Sequence, residues 1–227
     1  MTRWLSALAL GTAVLCCNLP ASAQAQRFDK TVRGDFFAGF TGDLARLQSG
    51  MEACERVLAE NPQHAEAMVW HGSGLVFQAG QAFQRGDMKG GGELWERGMK
   101  EMDTAVELAP NSVGVLIPRG SLLLQATRTM PPQMARPLIA KALADYEKVL
   151  AIQEPIFATL GEHPKGELLF GLAEGYSRLD QPEKARLYFD RLVKDAPGSG
   201  QTPKAKQWLT DGTLPKSSGL TCVGCHK

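Results

Sequence analysis

The sequence predicts an all-α protein, built of antiparallel helix pairs stacked side by side into a curved array. Three observations lead there. The amphipathic runs of the chain have a helical period near 3.6 residues. Those runs end again and again in a proline stop: Glu60-Asn61-Pro62, Leu108-Ala109-Pro110 and Asp195-Ala196-Pro197, with a fourth at Glu154-Pro155. Proline lacks an amide hydrogen and clashes with the preceding turn, so each stop sends the chain into a new helix. No segment reads as a strand.

The N-terminus carries an export pattern. Arg3 gives a positive start, residues 4–17 form a mostly apolar run too short for a stable membrane span, and Ala21-Ser22-Ala23 supplies the small-x-small site before Gln24. Residues 1–23 therefore read as a signal peptide, and the mature chain is expected in the periplasm or otherwise exported. A short buried helix is the plain alternative. A lipid-anchored variant through Cys16 or Cys17 is disfavoured by Leu15, which stands where a small residue is needed. Export would place the remaining cysteines in an oxidising compartment.

From residue 28 the helices follow in order. Residues 28–40 read as a short helix with Phe36, Phe37 and Phe40 on or near one face, and Asp43 caps the next helix. Residues 65–83 and 93–108 read as a long hairpin whose tip is the glycine-rich segment 85–92. A second stretched hairpin has Thr129-Met130-Pro131-Pro132 as its tip, and residues 155–165 read as a connector. Thr202-Pro203 starts a closing helix that carries Trp208 and stops at Asp211-Gly212. About nine helices result.

Composition removes several function classes. Lys plus Arg numbers 25 against 24 for Asp plus Glu, a balance that argues against nucleic-acid binding. A hydrophobic content of 44% with 22% charged residues suits a folded soluble domain. No stretch beyond the signal approaches the 18 apolar residues of a membrane span. Gly90-Gly91-Gly92 lacks the Gly-Lys-Ser/Thr ending of a phosphate loop and is expected to be a flexible tip. No nucleophile has a base at meaningful spacing, since Ser73, Ser121 and Ser177 all fall inside helical patterns.

The helical unit before Pro197 places Leu172, Ala173 and Tyr176 on its first helix and Ala185 and Phe189 on its second. In this it resembles the tetratricopeptide repeat (TPR), where small residues let two antiparallel helices approach and large ones fill the gap. Gly72 and Gly120 fall at the small position of earlier first helices, and Gly98 and Ala142 at that of their partners. Pro62 and Pro110 lie 48 residues apart, against 34 in a standard TPR unit, so the middle units carry extended helices. The resemblance covers roughly residues 40–197. It implies a right-handed α-solenoid over residues 28–211 and a concave surface that binds a protein partner or redox subunit.

The tail, residues 212–227, carries Cys222-Val223-Gly224-Cys225-His226. Cys-x-x-Cys-His is the c-type haem attachment signature. Its resemblance to c-type cytochromes implies one covalent haem c, with Cys222 and Cys225 as thioether anchors and His226 as proximal iron ligand. A Cys222–Cys225 disulfide or a partial zinc site is the plainer alternative. Cytochromes continue past the motif and supply a distal ligand, whereas here only Lys227 follows. The distal ligand would come from upstream, from another chain, or be missing. Among upstream histidines, His163 in the 155–165 connector is the first choice. His64 is expected in a solvated turn, and His71 in helix packing. Cys54 reads as a small buried hydrophobe.

The expected function is an exported TPR-like scaffold whose tail haem passes electrons to a docked partner. A haem-free adaptor with a clipped tail is the alternative, and a haem peroxidase a more distant one.

Overall fold

The computed structural model describes residues 28–214. The signal-peptide reading of residues 1–23 and the haem-motif residues Cys222, Cys225 and His226 lie outside the described residues.

Within them the chain is all-α, with nine α-helices, two short 3-10 helices and no strand. The α-helices are α1 (Asp29–Phe40), α2 (Leu44–Glu60), α3 (Ala65–Gln84), α4 (Met88–Leu108), α5 (Val113–Ala126), α6 (Pro132–Gln153), α7 (Glu162–Arg178), α8 (Pro182–Asp195) and α9 (Thr202–Asp211). The 3-10 helices span Thr127–Thr129 and Glu154–Thr159.

Short polar side chains start several helices. The Asp43 carboxylate accepts the Arg46 amide N–H at 3.1 Å and opens α2. Asp87 accepts from the Gly90 amide at 2.8 Å and opens α4. Such caps satisfy amide donors that the first turn leaves unpaired. Pro132, Pro182 and Pro203 stand in the first turns of α6, α8 and α9, where a missing N–H costs nothing. Gly212 ends α9 with φ +73°, a left-handed conformation that glycine adopts without strain.

Consecutive helices pack as pairs: α1 with α2, α3 with α4, α5 with α6, and α7 with α8. In the α3–α4 pair Phe83 meets Gly91 near the turn, and Gly72 meets Gly98 further along, so the two helices run antiparallel. The odd-numbered helices also touch one another, α3 with α1 and α5, and α5 with α7. One continuous apolar core runs from Val32 and Phe36 in α1 to Trp208 in α9. Tyr176, Phe189, Ala173 and Ala185 are all buried. The Phe189 ring packs 4.8 Å from Trp208 and 6.0 Å from Phe170.

Three expectations from the sequence need correction. The glycine triplet is not a hairpin tip, because Gly90, Gly91 and Gly92 are the first turns of α4. Gly86, at φ +82°, makes the turn instead. The helix holds because Asp87 caps it and the Phe83 ring lies against the bare backbone of Gly91, a tertiary contact that outweighs glycine's poor propensity. Residues 155–165 are not an open connector either. They form the Glu154–Thr159 3-10 helix and the first turn of α7, so His163 is helical rather than on a loop. Glu162 at that N-terminus complements the helix dipole. His64, finally, is not a solvated turn residue. It is half-buried, its Nδ1 accepts the Ala67 amide N–H at 3.1 Å, and its ring meets Phe28 edge-on at 5.2 Å.

Candidate functional site

Helices α1, α3, α5 and α7, with Gln153 from the end of α6, line a cleft of ≈ 210 Å³. From α1 it takes Asp29, Arg33, Phe37 and Phe40, and from α3 Trp70 and Ser73. The α5 wall is Val113, Ile117, Pro118, Ser121, Leu122 and Gln125, and α7 adds His163, Pro164 and Glu167. The helical period explains the α5 contribution: Val113, Ile117 and Ser121 recur every four residues and share one face. The lining therefore combines aromatic and aliphatic side chains with the polar groups of Asp29, Arg33, His163 and Glu167. Concave, mostly apolar clefts with a few polar groups are the usual form of a binding site.

The polar groups at this site come from separate elements. Arg33 faces Asp29 at 3.9 Å on the same helix, and the Asp29 amide donates to Glu66 at 3.2 Å. Trp70 is 5% exposed, and its indole N–H is buried with no acceptor. A smaller pocket adjoins the cleft and shares Ser121, Gln125 and Glu167 with it. Its other walls include Arg128, Tyr146, Phe170, Glu174 and Gln201. The two hollows form one groove along α5 and α7 that ends at the start of α9.

Buried ion pairs hold the helices that frame the groove. Arg119 on α5 donates two hydrogen bonds to Asp145 on α6, at 2.8 and 2.7 Å, and a third to Asp103 on α4 at 2.8 Å. Lys141 also reaches Asp103, at 2.8 Å. Burial opposes the charge on Arg119, but the two carboxylates outweigh it and hold the guanidinium above its ordinary pKa. Burial pushes the Asp145 carboxyl upward, and Arg119 offsets this only in part. Further along, Arg178 donates to the Leu124 carbonyl at 2.5 Å and to the Thr127 hydroxyl at 2.8 Å. It thereby satisfies acceptors at the C-terminal end of α5. Glu174, buried beside it, receives Arg128 at 3.0 Å.

A second polar cluster lies away from the groove. His71 is 2% exposed, with Nδ1 2.5 Å from Glu101 and Nε2 3.4 Å from Glu55. Both ring nitrogens are engaged, so this histidine ties α3 to α4 and α2. Cys54 is fully buried, and burial, with Glu55 and Glu101 adding to it, pushes its thiol up to about 12. A thiol held neutral in this way is a packing residue, not a nucleophile. Among the described residues no group of three or more His, Cys, Asp or Glu side chains could hold a metal ion. Among the same residues no helix is long and apolar enough to cross a membrane.

Of the four residues expected to bind haem or iron, only His163 is among the described ones, half-buried on the α7 wall of the cleft. Trp208, on α9, is 4% exposed and donates its indole N–H to Ser177 at 2.9 Å. It offers no open platform. Sequence reasoning did not find the cleft. Its walls come from helices far apart in sequence, and only the Phe36, Phe37 and Phe40 cluster hinted at one of them. Protein-family models, curated proteins and solved structures were each searched, and none matches the chain.

Proposed function

We propose that the mature protein is a periplasmic or otherwise exported electron-transfer scaffold: a TPR-like helical array that binds a partner and bears one covalent haem c on its C-terminal tail. The observation that carries this reading is the Cys222-Val223-Gly224-Cys225-His226 motif in a chain that begins with an export pattern. Cys222 and Cys225 would hold the group through thioether bonds, and His226 would ligate its iron. The haem supplies a one-electron ferric–ferrous couple when bound. The chain's own task is to hold that group and to present it to a docked redox partner.

Support for a TPR-like solenoid comes from the packing pattern. The first four odd helices, α1, α3, α5 and α7, each pack on the following even helix and on a neighbouring odd helix, and small residues mark the crossings: Gly72 with Gly98, and Gly120 with Ala142 and Tyr146. Stacked pairs of this kind leave one helix layer lining an inner surface, and the groove lies on that layer. The groove is lined by side chains of the helical array itself, which is the observation that favours a haem-free adaptor as the second reading.

The experiment is an intact mass of protein produced with and without cytochrome c maturation machinery. The parent should gain the mass of one haem, and a Cys222→Ala, Cys225→Ala double variant should not. A parent that never gains this mass leaves the adaptor reading in its place.

A further inference from the structure

We propose that the cleft lined by α1, α3, α5 and α7 is a small-molecule site whose ligand is a zwitterion with an apolar body, the chemistry of a free aliphatic α-amino acid. Such a site needs only the cleft. It adds a ligand to the partner-binding scaffold and does not depend on haem.

Size sets the first limit. A cleft of ≈ 210 Å³ lies between the ~150 Å³ cavity that takes benzene and the ~300–1,000 Å³ of sites for drug-sized molecules. It therefore holds a body of roughly 8–12 non-hydrogen atoms. Leucine is of this size. Phe40, Trp70, Ile117 and Leu122, from three helices, give its side chain apolar walls.

Charge sets the second limit, because both signs line the cleft. Asp29 on α1 and Glu167 on α7 are carboxylates, and Arg33 on α1 is a guanidinium. Arg33 stands 3.9 Å from Asp29, longer than a hydrogen bond, so that pair leaves its donors to a ligand carboxylate. The acidic side chains meet the ligand ammonium. A bare anion faces two carboxylates, and a bare cation leaves the guanidinium unmatched. A zwitterion answers both.

Trp70 gives a third and independent indication. It lines the cleft, it is 5% exposed, and its buried indole N–H has no acceptor among the described residues. Buried donors are almost always paired, so an orphan on a cleft wall calls for a partner. The N–H itself is covered. A turn of the ring toward the cleft brings it to a ligand carboxylate oxygen and makes Trp70 the reporter of binding.

The test titrates L-leucine into the full mature chain by calorimetry and follows tryptophan fluorescence in parallel. 3-Methylbutylamine lacks the carboxylate, 4-methylpentanoate lacks the ammonium, and glycine lacks the apolar body. L-Leucine should bind roughly tenfold or more tightly than each, the order of one charge-assisted contact or one buried side chain. Arg33→Gln should weaken L-leucine about tenfold and leave 3-methylbutylamine unchanged. Glu167→Gln should weaken L-leucine about tenfold and leave 4-methylpentanoate no weaker. These opposite responses separate ligand contact from a general loss of structure. Trp70→Phe keeps a ring, removes the N–H and should abolish the fluorescence response. Ser121→Trp should fill the cleft and abolish binding, with Gln125→Trp taking its place should the first variant misfold by circular dichroism. No heat and no fluorescence change with L-leucine, L-isoleucine or L-valine at about 10 mM overturn the proposal. Equal binding of the amine or the acid overturns it, as does L-leucine binding that survives in a folded cleft-filling variant. L-Leucinamide binding as tightly as L-leucine assigns the cleft to a peptide end and also overturns it. None of these outcomes bears on the mass of one haem, so the two readings fail separately.

Discussion

Gly72 and Gly98 face each other across the α3–α4 pair, so close that a Cβ on either would lie 2.7 Å from the other's carbonyl oxygen. No real Cβ contact is that short, and the opposing atom is backbone, so relief requires the helices to part. Gly72→Ala should therefore destabilise the protein by about 1–3 kcal/mol, the range for overpacked interiors. Urea unfolding followed by circular dichroism measures it. An unchanged midpoint would show that the two helices do not cross here.

Glycine in α4 should have the opposite sign at a neighbouring site. A Cβ at Gly92 would meet nothing within 4 Å, and the residue is exposed. Gly92→Ala should stabilise by about 0.5–1 kcal/mol, because alanine loses less backbone entropy on entering a helix. A neutral or negative change in thermal unfolding would mean that residues 90–92 are the open tip that the sequence suggested.

Arg119 is 8% exposed and carries Asp145, itself 3% exposed, on two hydrogen bonds. Arg119→Met should cost about 3–5 kcal/mol by stranding a buried carboxylate. Adding Asp145→Leu should recover much of that loss, since the penalty lies in the unpaired charge more than in the missing bond. Denaturant midpoints of the two singles and the double form the cycle. Simple additivity would show that the pair is not coupled.

The Cys54 thiol, raised from 9.0 to about 12, gives a pH dependence with a definite sign. The folded state keeps the proton that the unfolded chain loses first. Its contribution is complete below the unfolded pKa and is lost as pH rises from about 9 to about 12. Stability of the parent should thus fall more steeply across alkaline pH than that of Cys54→Ala, once other groups common to both cancel. Ellman's reagent at pH 8 should label Cys54 only upon unfolding. Rapid labelling of the native protein would contradict its burial.

How much of this was legible beforehand varies by element. Helices with a cap and a strong period were plain: Asp43 before α2, Pro203 in α9, and the small–large pattern of α7 and α8 all appear where the residues indicate. Gly72, Gly98 and Gly120 were also identifiable as crossing points from their register. The start of α4 was not, because three glycines in a row signal a loop to any local rule, and only the Phe83 ring across the hairpin reverses that. His163 was singled out from sequence, but its place on a helix and on a cleft wall depends on α7 starting at Glu162.

By itself the sequence determined the helix class, most helix boundaries, the large-to-small packing code and the two terminal motifs. Each of these is encoded within a few residues, through periodicity, capping chemistry and covalent spacing. The tertiary structure alone decided which side chains meet: Arg119 with Asp145, His71 with Glu101 and Glu55, and the four helices that close around Trp70. Those encounters join residues 16 to 138 positions apart. Their geometry is fixed by how closely the helix pairs stack, a property of the whole core that no local pattern contains.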